Sequence, residues 1–313
     1  MGVGLLVGGA FLFVVANDAF TEISLEIDEK KVTEKLIKGD SKASSKVAII
    51  TIDGMIVSDA DGFIARQIRA VIADKRVRAV VLRVDSPGGT MSGSDYYHHL
   101  LKKMKSERSI PVVVSMGSVA ASGGYYVSVI GDEIYAEPST ITGSIGVVAS
   151  LFNASELLEK IGVESTPVVS GDYKTMGSFM KPMSEEERAL FQRLIDDNFD
   201  RFKTIIREGR SEFANNPAKL DKLATGEIFT ADDALKNEMI DKIGFLDDAV
   251  ERAISLARLT KQECKVIRYT PKLAFVDMLM ESRAPGTLLS GETLSKATTP
   301  KIYLICPRVV PVE

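Results

Sequence analysis

Two short runs, VAIITI at residues 47–52 and RAVVLRV at residues 78–84, decide the fold class. Both are rich in β-branched and aliphatic residues and are bounded by turn residues, which is typical of strands buried in a parallel sheet. Between them, residues 59–73 carry apolar side chains at helical spacing, namely Phe63, Ile64, Ile68, Val71 and Ile72. The order strand, helix, strand predicts a β-α-β unit within an α/β protein.

The same alternation continues along the chain. The further predicted units are a helix at 94–105, a strand at 111–115, a stretch at 122–130, a strand at 133–136 and a helical unit at 231–257. A longer helix is predicted from Ser184 to Gly209, because Ser184 and Glu187 form a capping box and apolar residues follow on one stripe. The predicted body of the protein therefore covers residues 46–262, followed by a tail at residues 263–313.

Composition excludes several classes of function. The 313 residues carry a net charge of −4, and the pI of about 5.5 offers no basic surface to a nucleic acid, so we expect no nucleic-acid partner. The two cysteines, Cys264 and Cys306, can form at most one bridge and cannot supply a four-ligand zinc site. The two histidines, His98 and His99, are too few for a histidine-rich metal centre, so we expect no metal.

The chain begins with an uncharged apolar run at residues 2–16, and no lysine or arginine precedes it. Since a bilayer needs roughly 20 apolar residues, we interpret residues 1–20 as a membrane anchor shortened at its upstream end. A cleaved signal and a buried core segment are the alternatives. Residues 21–45 are predicted as a spacer. Because acidic residues follow the run, we expect a single-pass protein of the cell membrane with its body on the extracytoplasmic side.

Two glycine-rich turns follow predicted strands: DSPGG at residues 85–89 and AASGGYY at residues 120–126. Adjacent glycines let a backbone approach a ligand and direct its N–H groups inward, as an oxyanion hole requires. A simple tight turn is the alternative. The second turn also offers a nucleophile, because Ser122 lies where a strand gives way to a helix, with the N–H of Gly123 beside it. The alternatives for Ser122 are a helix-capping serine and a phosphate loop, although the glycine patterns of phosphate loops are absent.

A serine nucleophile needs a base. His98 and His99 lie in a polar helix away from either glycine turn, which leaves an imidazole as a minor possibility. Lysine is the other known choice, provided that desolvation or a neighbouring cation lowers its pKa. Residue patterns alone do not select one lysine among the many in this chain.

A resemblance to a known family narrows this choice. The stretch MGSVAASGGYYVSVIGDEIYAEPSTITGSIGV (residues 116–147), with DSPGG before it and SGDYKTMGS (residues 170–178) after it, resembles signal peptide peptidases of the A type. The similarity continues through residues 225–249 and covers residues 47–257 in all. These relatives are membrane-bound serine proteases with a Ser/Lys dyad. The resemblance implies a Clp/crotonase-like fold of repeated β-β-α units, no cofactor, and a homo-oligomeric ring of eight subunits of the short, single-copy form.

The resemblance also implies a role for several residues. By position, Ser122 is the nucleophile, Lys174 is the general base 52 residues later, and Ser144 orients the lysine amine. In these relatives the lysine reaches the serine of a neighbouring subunit. Where relatives place a Ser-Pro soon after the lysine, this chain has residues 177–180 (GSFM) and then Lys181-Pro182. Lys181 is thus a second lysine near the dyad, which we interpret as a surface residue.

The oxyanion donors implied by the resemblance are the backbone N–H of Gly123 and one N–H from Gly88 or Gly89. Of these two glycines, Gly89 is favoured.

The substrates implied are signal peptides left in the membrane after signal peptidase cleavage. The alternatives are a related protease that cleaves membrane proteins, an inactive scaffold of the same fold, and an acyl-CoA enzyme that holds an enolate with the same amides. The apolar tail, ending KIYLICPRVVPVE, could enter a groove as an extended peptide or be trimmed by the enzyme itself. Packing on the outside of the domain is the alternative.

Overall fold

The computed structural model describes residues 32–271 and 302–305. The anchor predicted at residues 1–20 and Cys306 of the one possible disulfide lie outside these residues. In the two described ranges, no helix combines the length and the hydropathy needed to cross a bilayer.

A nine-stranded sheet with the order β1-β11-β2-β3-β5-β6-β10 forms the centre of the protein. Strands β11, β2, β3, β5, β6 and β10 pair in parallel, whereas β1 is an antiparallel edge strand. A branch adds β7 in parallel to the end of β5, and β9 antiparallel to β7. The bounds are β1 Thr33–Gly39, β2 Ser45–Asp53, β3 Val77–Ser86, β5 Val112–Ala121, β6 Glu133–Ala136, β7 Ile141–Gly143, β9 Ile228–Thr230, β10 Lys242–Ile243 and β11 Cys264–Thr270.

Helices cover both faces of this sheet, as parallel strands require. Alternate residues of β2 show the two layers: Ala48, Ile50 and Ile52 belong to the larger core cluster, whereas Val47 and Ile49 pack in a second cluster with α9. The bounds are α1 Phe63–Ala73, α2 Met91–Arg108, α3 Gly123–Ser128, α4 Ser155–Lys160, α5 Glu185–Gly209, α6 Ser211–Asn215, α7 Pro217–Leu223, α8 Ala231–Lys236 and α9 Leu246–Leu256. The α/β architecture predicted from the sequence is therefore confirmed.

Most predicted elements are found where the pattern placed them. The helix from Ser184 begins with the expected capping box, in which the Ser184 hydroxyl accepts from the Glu187 N–H and the Glu187 carboxylate accepts from the Ser184 N–H. The helical unit at 231–257 is instead two helices, α8 and α9, because β10 pairs with β6 between them.

The ends of the predicted body differ from the structure. Strand β1 lies inside the predicted spacer and pairs with β11, which lies inside the predicted tail. Because β11 is hydrogen-bonded between β1 and β2, both strands are part of the folded domain. The buried Lys46 ammonium adds to this connection, since it binds the carboxylates of Glu34 on β1 and of Asp74 after α1.

Candidate active site

The turn after β5 carries Ser122 in an unusual backbone conformation. Ser122 has φ 54° and ψ −113°, which non-glycine residues rarely adopt. Its N–H donates to the Gly143 carbonyl at 2.7 Å, and its own carbonyl accepts from the Tyr126 N–H at 2.9 Å. The strand on one side and the first turn of α3 on the other therefore hold Ser122 in this conformation.

The Ser122 hydroxyl is not used to hold the fold together. The residue is 0% exposed, and its Oγ has no hydrogen-bond partner among the described residues. Ser122 stands at the N-cap position of α3 but makes no side-chain cap hydrogen bond, so the helix-capping interpretation is wrong. An unsatisfied buried hydroxyl is costly, which favours a role in which a reacting group or another side chain engages it.

The two glycine turns predicted from the sequence lie against each other. A Cβ atom placed on Gly123 would lie 3.1 Å from Gly88 Cα and 3.2 Å from Gly89 N, and 2.4 Å from Ser94 Oγ. Only glycine allows this approach at position 123. The backbones of the two turns are thus in close contact beside Ser122.

The backbone hydrogen bonds distinguish Gly88 from Gly89. The Gly88 N–H donates to Ser86 Oγ at 3.1 Å, and the Gly88 carbonyl accepts from the Ile56 N–H at 2.8 Å. Thr90 N–H donates to the Ile56 carbonyl, also at 2.8 Å. Because N–H groups alternate in direction along a strand, the Gly89 N–H points away from Ile56. Of these two glycines, Gly89 has the N–H that is directed into the groove described next.

A peptide-sized groove lies between β4, Gly88–Thr90, and β8, Val148–Ala149. Strand β12, Ile302–Ile305, fills it and pairs antiparallel with both walls. Leu304 is opposite Gly89, and Tyr303 is opposite Thr90 on one side and Val148 on the other. The entry of the tail into a groove, expected from its apolar sequence, is thus found for residues 302–305.

Ser144 lies next to Ser122 at the end of the neighbouring strand. Ala121 pairs with Gly143 across β5 and β7, so the residues that follow them, Ser122 and Ser144, leave adjacent strands side by side. Ser144 is 5% exposed, has φ 50°, and donates its N–H to the Glu227 carbonyl at 2.7 Å. The structure therefore brings Ser122, Ser144 and the two glycine turns together within one chain.

Lys174 is not part of this cluster within one chain. It lies on a short 3-10 helix, Asp172–Thr175, and is exposed. No hydrogen bond or ion pair of its side chain is found with the residues that the structure describes. The surrounding stretch, residues 150–183, which we call the lysine segment, exposes several large apolar side chains: Phe152, Leu157, Ile161, Val168, Tyr173 and Phe179.

The other candidate bases are engaged elsewhere. The Lys181 ammonium binds the Glu187 carboxylate at 2.5 Å and holds the pKa of that carboxyl below its usual range. His98 is buried and packs edge-on against the ring of Tyr126, with 5.6 Å between the ring centroids. Burial lowers the pKa of His98 to about 4, and the nearby Lys102 ammonium acts in the same direction. His98 therefore packs as a neutral aromatic group.

The sequence analysis missed three parts of this site. Ile56 holds β4 through an isolated bridge to Gly89, Ser86 accepts the Gly88 N–H, and β8 forms the second wall of the groove. Each depends on a contact between distant segments, and β8 is only two residues long, so no periodic pattern signals it. Among residues 32–271, no three histidine, cysteine, aspartate or glutamate side chains converge where they could hold a metal ion.

Comparisons with known proteins agree on one family. Residues 103–260 match the description Peptidase family S49. Protease 4 of Salmonella typhi is 37% identical over 218 residues, which are 70% of this chain but 34% of that protein. A protein of Enterococcus faecium with the provisional name signal peptide peptidase SppA is 32% identical over 250 residues, covering 76% of this chain and 71% of its own length.

A solved structure is also similar in outline. It is a mutant of a membrane-bound stomatin-specific protease in complex with a substrate peptide, with a TM-score of 0.46 at 18% identity, over 77% of this chain and 98% of that one. The family match covers the glycine turn at residues 120–126 and Lys174, whereas the turn at residues 85–89 lies before it. The chain therefore belongs to peptidase family S49 and is an enzyme of the protease class.

Proposed function

We propose that this protein is a membrane-associated serine endopeptidase with a Clp/crotonase-like fold that degrades signal peptides left after signal peptidase cleavage. The observation that supports it best is strand β12 in the groove between β4 and β8, because it demonstrates room for an extended apolar peptide beside Ser122. The name of the Enterococcus relative, a signal peptide peptidase, agrees with this substrate class.

In the proposed reaction, the neutral Nζ of Lys174 takes the proton of Ser122 Oγ, and Oγ bonds to the carbonyl carbon of the peptide. The N–H groups of Gly123 and Gly89 donate to the oxyanion that forms. The C–N bond then breaks, and the departing amine takes the proton from Lys174. A water molecule gives a proton to Lys174 Nζ, and its oxygen attacks the carbonyl carbon of the acyl-enzyme. The ester bond to Oγ then breaks, the acid is released, and Oγ takes the proton back from Lys174, which restores both residues.

The lysine is proposed to come from a neighbouring subunit. The Ser122 hydroxyl has no partner among the described residues, and Lys174 is exposed within an apolar surface. An assembly of subunits would satisfy both groups. In the assembled site, burial would favour the neutral amine, and the Ser144 hydroxyl would accept a hydrogen bond from it and fix its direction. The octameric ring, the membrane anchor at residues 1–20 with its lipid contact, and the extracytoplasmic position of the body are parts of the same proposal.

The test is cleavage of a fluorogenic apolar peptide and of a synthetic signal peptide by the full chain. Ser122→Ala and Lys174→Ala should each lower kcat by roughly a thousandfold or more, because each removes a group of the dyad. The matched controls are Ser118→Ala and Lys160→Ala, and both should retain activity. Ser118 is an exposed serine of β5, the strand directly before Ser122, and Lys160 is an exposed lysine of the lysine segment.

Three outcomes would overturn the proposal or part of it. Activity that survives Lys174→Ala would require another base. A parent protein that binds the peptides without cleaving them would indicate an inactive scaffold. Cleavage of membrane proteins but not of signal peptides would replace the substrate class while leaving the chemistry in place.

A further inference from the structure

A cavity of about 550 Å³ opens at one end of the groove, beyond Thr90. Thr90 is the last residue of β4 and the N-cap of α2, so the cavity starts where the groove wall turns into a helix. Its other lining residues come from the Ile56 connection, from the first turn of α2, and from α5: Val57, Ser58, Met91, Ser92, Asp95, Asn198 and Arg201.

The direction of β12 determines which part of a substrate would reach this cavity. Because β12 runs antiparallel to β4, its first residue, Ile302, lies toward Thr90, and Ile305 lies opposite Gly88. If the residue opposite Gly89 supplies the carbonyl for the oxyanion hole, the peptide upstream of the cleaved bond runs past Thr90 and over the first turn of α2. The residue directly before that position lies opposite Thr90, which lines the cavity. The third residue before that position has its side chain on the same face of the strand, about 7 Å further along.

The walls and floor of the cavity differ in chemistry. Val57 and Met91 provide apolar contact near the opening. On the floor, Asp95 Oδ1 accepts from Tyr126 Oη at 2.8 Å and from Arg201 Nε and Nη2 at 3.0 and 2.5 Å. No donor reaches Asp95 Oδ2 among the described residues. Asn198 uses its amide NH₂ on the Leu194 carbonyl at 2.7 Å, which leaves its oxygen for another donor.

Asp95 Oδ2 and the Asn198 amide oxygen are thus open acceptors, while the Arg201 guanidinium, which also lines the cavity, directs Nε and Nη2 to Asp95 Oδ1. A long side chain with an apolar stem and a hydrogen-bond donor at its end fits walls and floor together, and lysine has this form. An acidic side chain would instead meet the Asp95 carboxylate.

We propose that this cavity is a specificity subsite that selects lysine three residues before the residue opposite Gly89, with Asp95 as the residue that determines the preference. The inference rests on the proposed endopeptidase function and adds a basic position to an otherwise apolar substrate. Tyr126 and Arg201 fix the Asp95 carboxylate in place, so that one of its oxygens stays directed at the substrate.

The experiment uses the full chain and peptides of the form X-Ile-Tyr-Leu with a fluorogenic amide after Leu, in which X is Lys, norleucine or Glu. The Lys peptide should exceed the Glu peptide about tenfold in kcat/KM, with the difference in KM, because the subsite binds a part of the substrate remote from the reacting bond. The norleucine peptide should fall between them. Moving Lys to the Ile position should abolish the advantage.

Two variants should change the preference in opposite directions. Asp95→Asn keeps the shape of the floor but removes its charge, so the ratio between the Lys and Glu peptides should approach one. Arg201→Gln removes the cation paired with Asp95 but keeps the Tyr126 hydrogen bond, so the carboxylate charge is less compensated and the ratio should increase severalfold. General damage to the fold cannot produce opposite changes. A ratio near one in the parent protein, or a ratio unaffected by Asp95→Asn, would overturn the subsite.

A binding measurement separates this inference from the proposed function. The same three peptides are titrated into the Ser122→Ala variant, and their affinities are read from fluorescence anisotropy. If no peptide is cleaved by the parent protein but the Lys peptide still binds about tenfold more tightly, the endopeptidase proposal fails and the subsite remains. If all peptides are cleaved and bound alike, the subsite fails and the endopeptidase proposal remains.

Discussion

The turn that carries Ser122 and the segment that carries Lys174 are built in opposite ways. Ser122 is 0% exposed, and main-chain hydrogen bonds to β7 and α3 hold it on both sides. Lys174 lies in a stretch that exposes Phe152 at 83% and Val168 at 97% of their surfaces. One half of the proposed site is therefore complete in a single chain, and the other half has the surface of an unassembled interface.

This difference indicates which surroundings position the serine half and the lysine half of the proposed site. The parallel sheet places Ser122, Ser144 and the glycine turns at the ends of neighbouring strands, where ligand sites of α/β proteins commonly lie. The lysine segment has only two short helical stretches, Ser155–Lys160 and Asp172–Thr175, and the proposed assembly would cover its exposed apolar side chains with a partner surface. The experiments below test this division, beginning with the largest expected effect.

The first experiment combines two inactive variants. If Lys174 acts on the Ser122 of a neighbouring subunit, co-assembly of Ser122→Ala with Lys174→Ala chains restores sites in which an intact serine meets an intact lysine. Random mixing in equal amounts should return about a quarter of the parent activity, measured with a fluorogenic peptide.

The control is each variant assembled with itself, which should stay inactive. The preparation must be shown to contain mixed assemblies. If such a preparation is inactive, the serine and the lysine of one site belong to the same chain, and the lysine half does not need a neighbouring subunit.

The second experiment compares one glycine from each region. A Cβ on Gly89 would lie 1.9 Å from the Ile56 carbonyl oxygen, whereas a Cβ on Gly171 in the lysine segment would meet nothing within 4 Å. We expect Gly89→Ala to lower the free energy of unfolding by about 3 kcal/mol and to abolish cleavage. Gly171→Ala should leave the free energy of unfolding nearly unchanged. If urea titrations show similar decreases in the free energy of unfolding for both variants, the expected difference between the two regions is wrong.

The third experiment removes the strand that fills the groove. A chain that ends after Pro271 keeps β11 in the sheet but lacks β12. Because a tethered segment competes with substrate at high effective concentration, its removal should raise kcat/KM for a short peptide by roughly tenfold.

Leu304→Pro is the matched variant of full length, since proline removes a strand hydrogen bond opposite Gly89. This variant should also raise kcat/KM for the short peptide. Unchanged values for both chains would show that the tail does not compete with substrate.

The smallest expected effect is a decrease in the free energy of unfolding at acidic pH. Unfolded His98 binds a proton near pH 6.5, but folded His98 does so only near pH 4, so the unfolded state binds more protons between these values. The free energy of unfolding should therefore fall by about 1 kcal/mol per pH unit as the pH decreases through this window. His98→Gln should reduce that slope, and the exposed His99→Gln should not. Equal slopes in urea titrations of all three proteins would contradict the prediction.

The part of the site that lies at the ends of the parallel strands was predicted from the sequence better than the groove and the lysine segment. Runs such as residues 78–84 carry the local signal of a buried strand, and the capping box at Ser184 marks a helix start within four residues. Strands β1, β4 and β8 are exposed or very short, so only pairing with distant segments reveals them. For the same reason, the roles of Ile56 and Ser86 in holding Gly88 and Gly89 were not visible beforehand.

The lysine segment marks a different boundary of sequence reasoning. Lys174 was selected by resemblance to a family, since one chain holds many lysines and residue patterns do not rank them. The environment of Lys174 within one chain does not distinguish it from the other lysines either. In the proposed assembly, part of that environment comes from a neighbouring chain.

The backbone at Ser122 bears on the evolution of this protein. A φ of 54° and a buried hydroxyl without a partner among the described residues each cost the folded state free energy, and glycine at position 122 would remove both costs. Selection for thermal stability alone would therefore favour glycine here, as a trade-off between stability and activity predicts. The proposed chemistry supplies the opposing selection that a serine in this conformation requires.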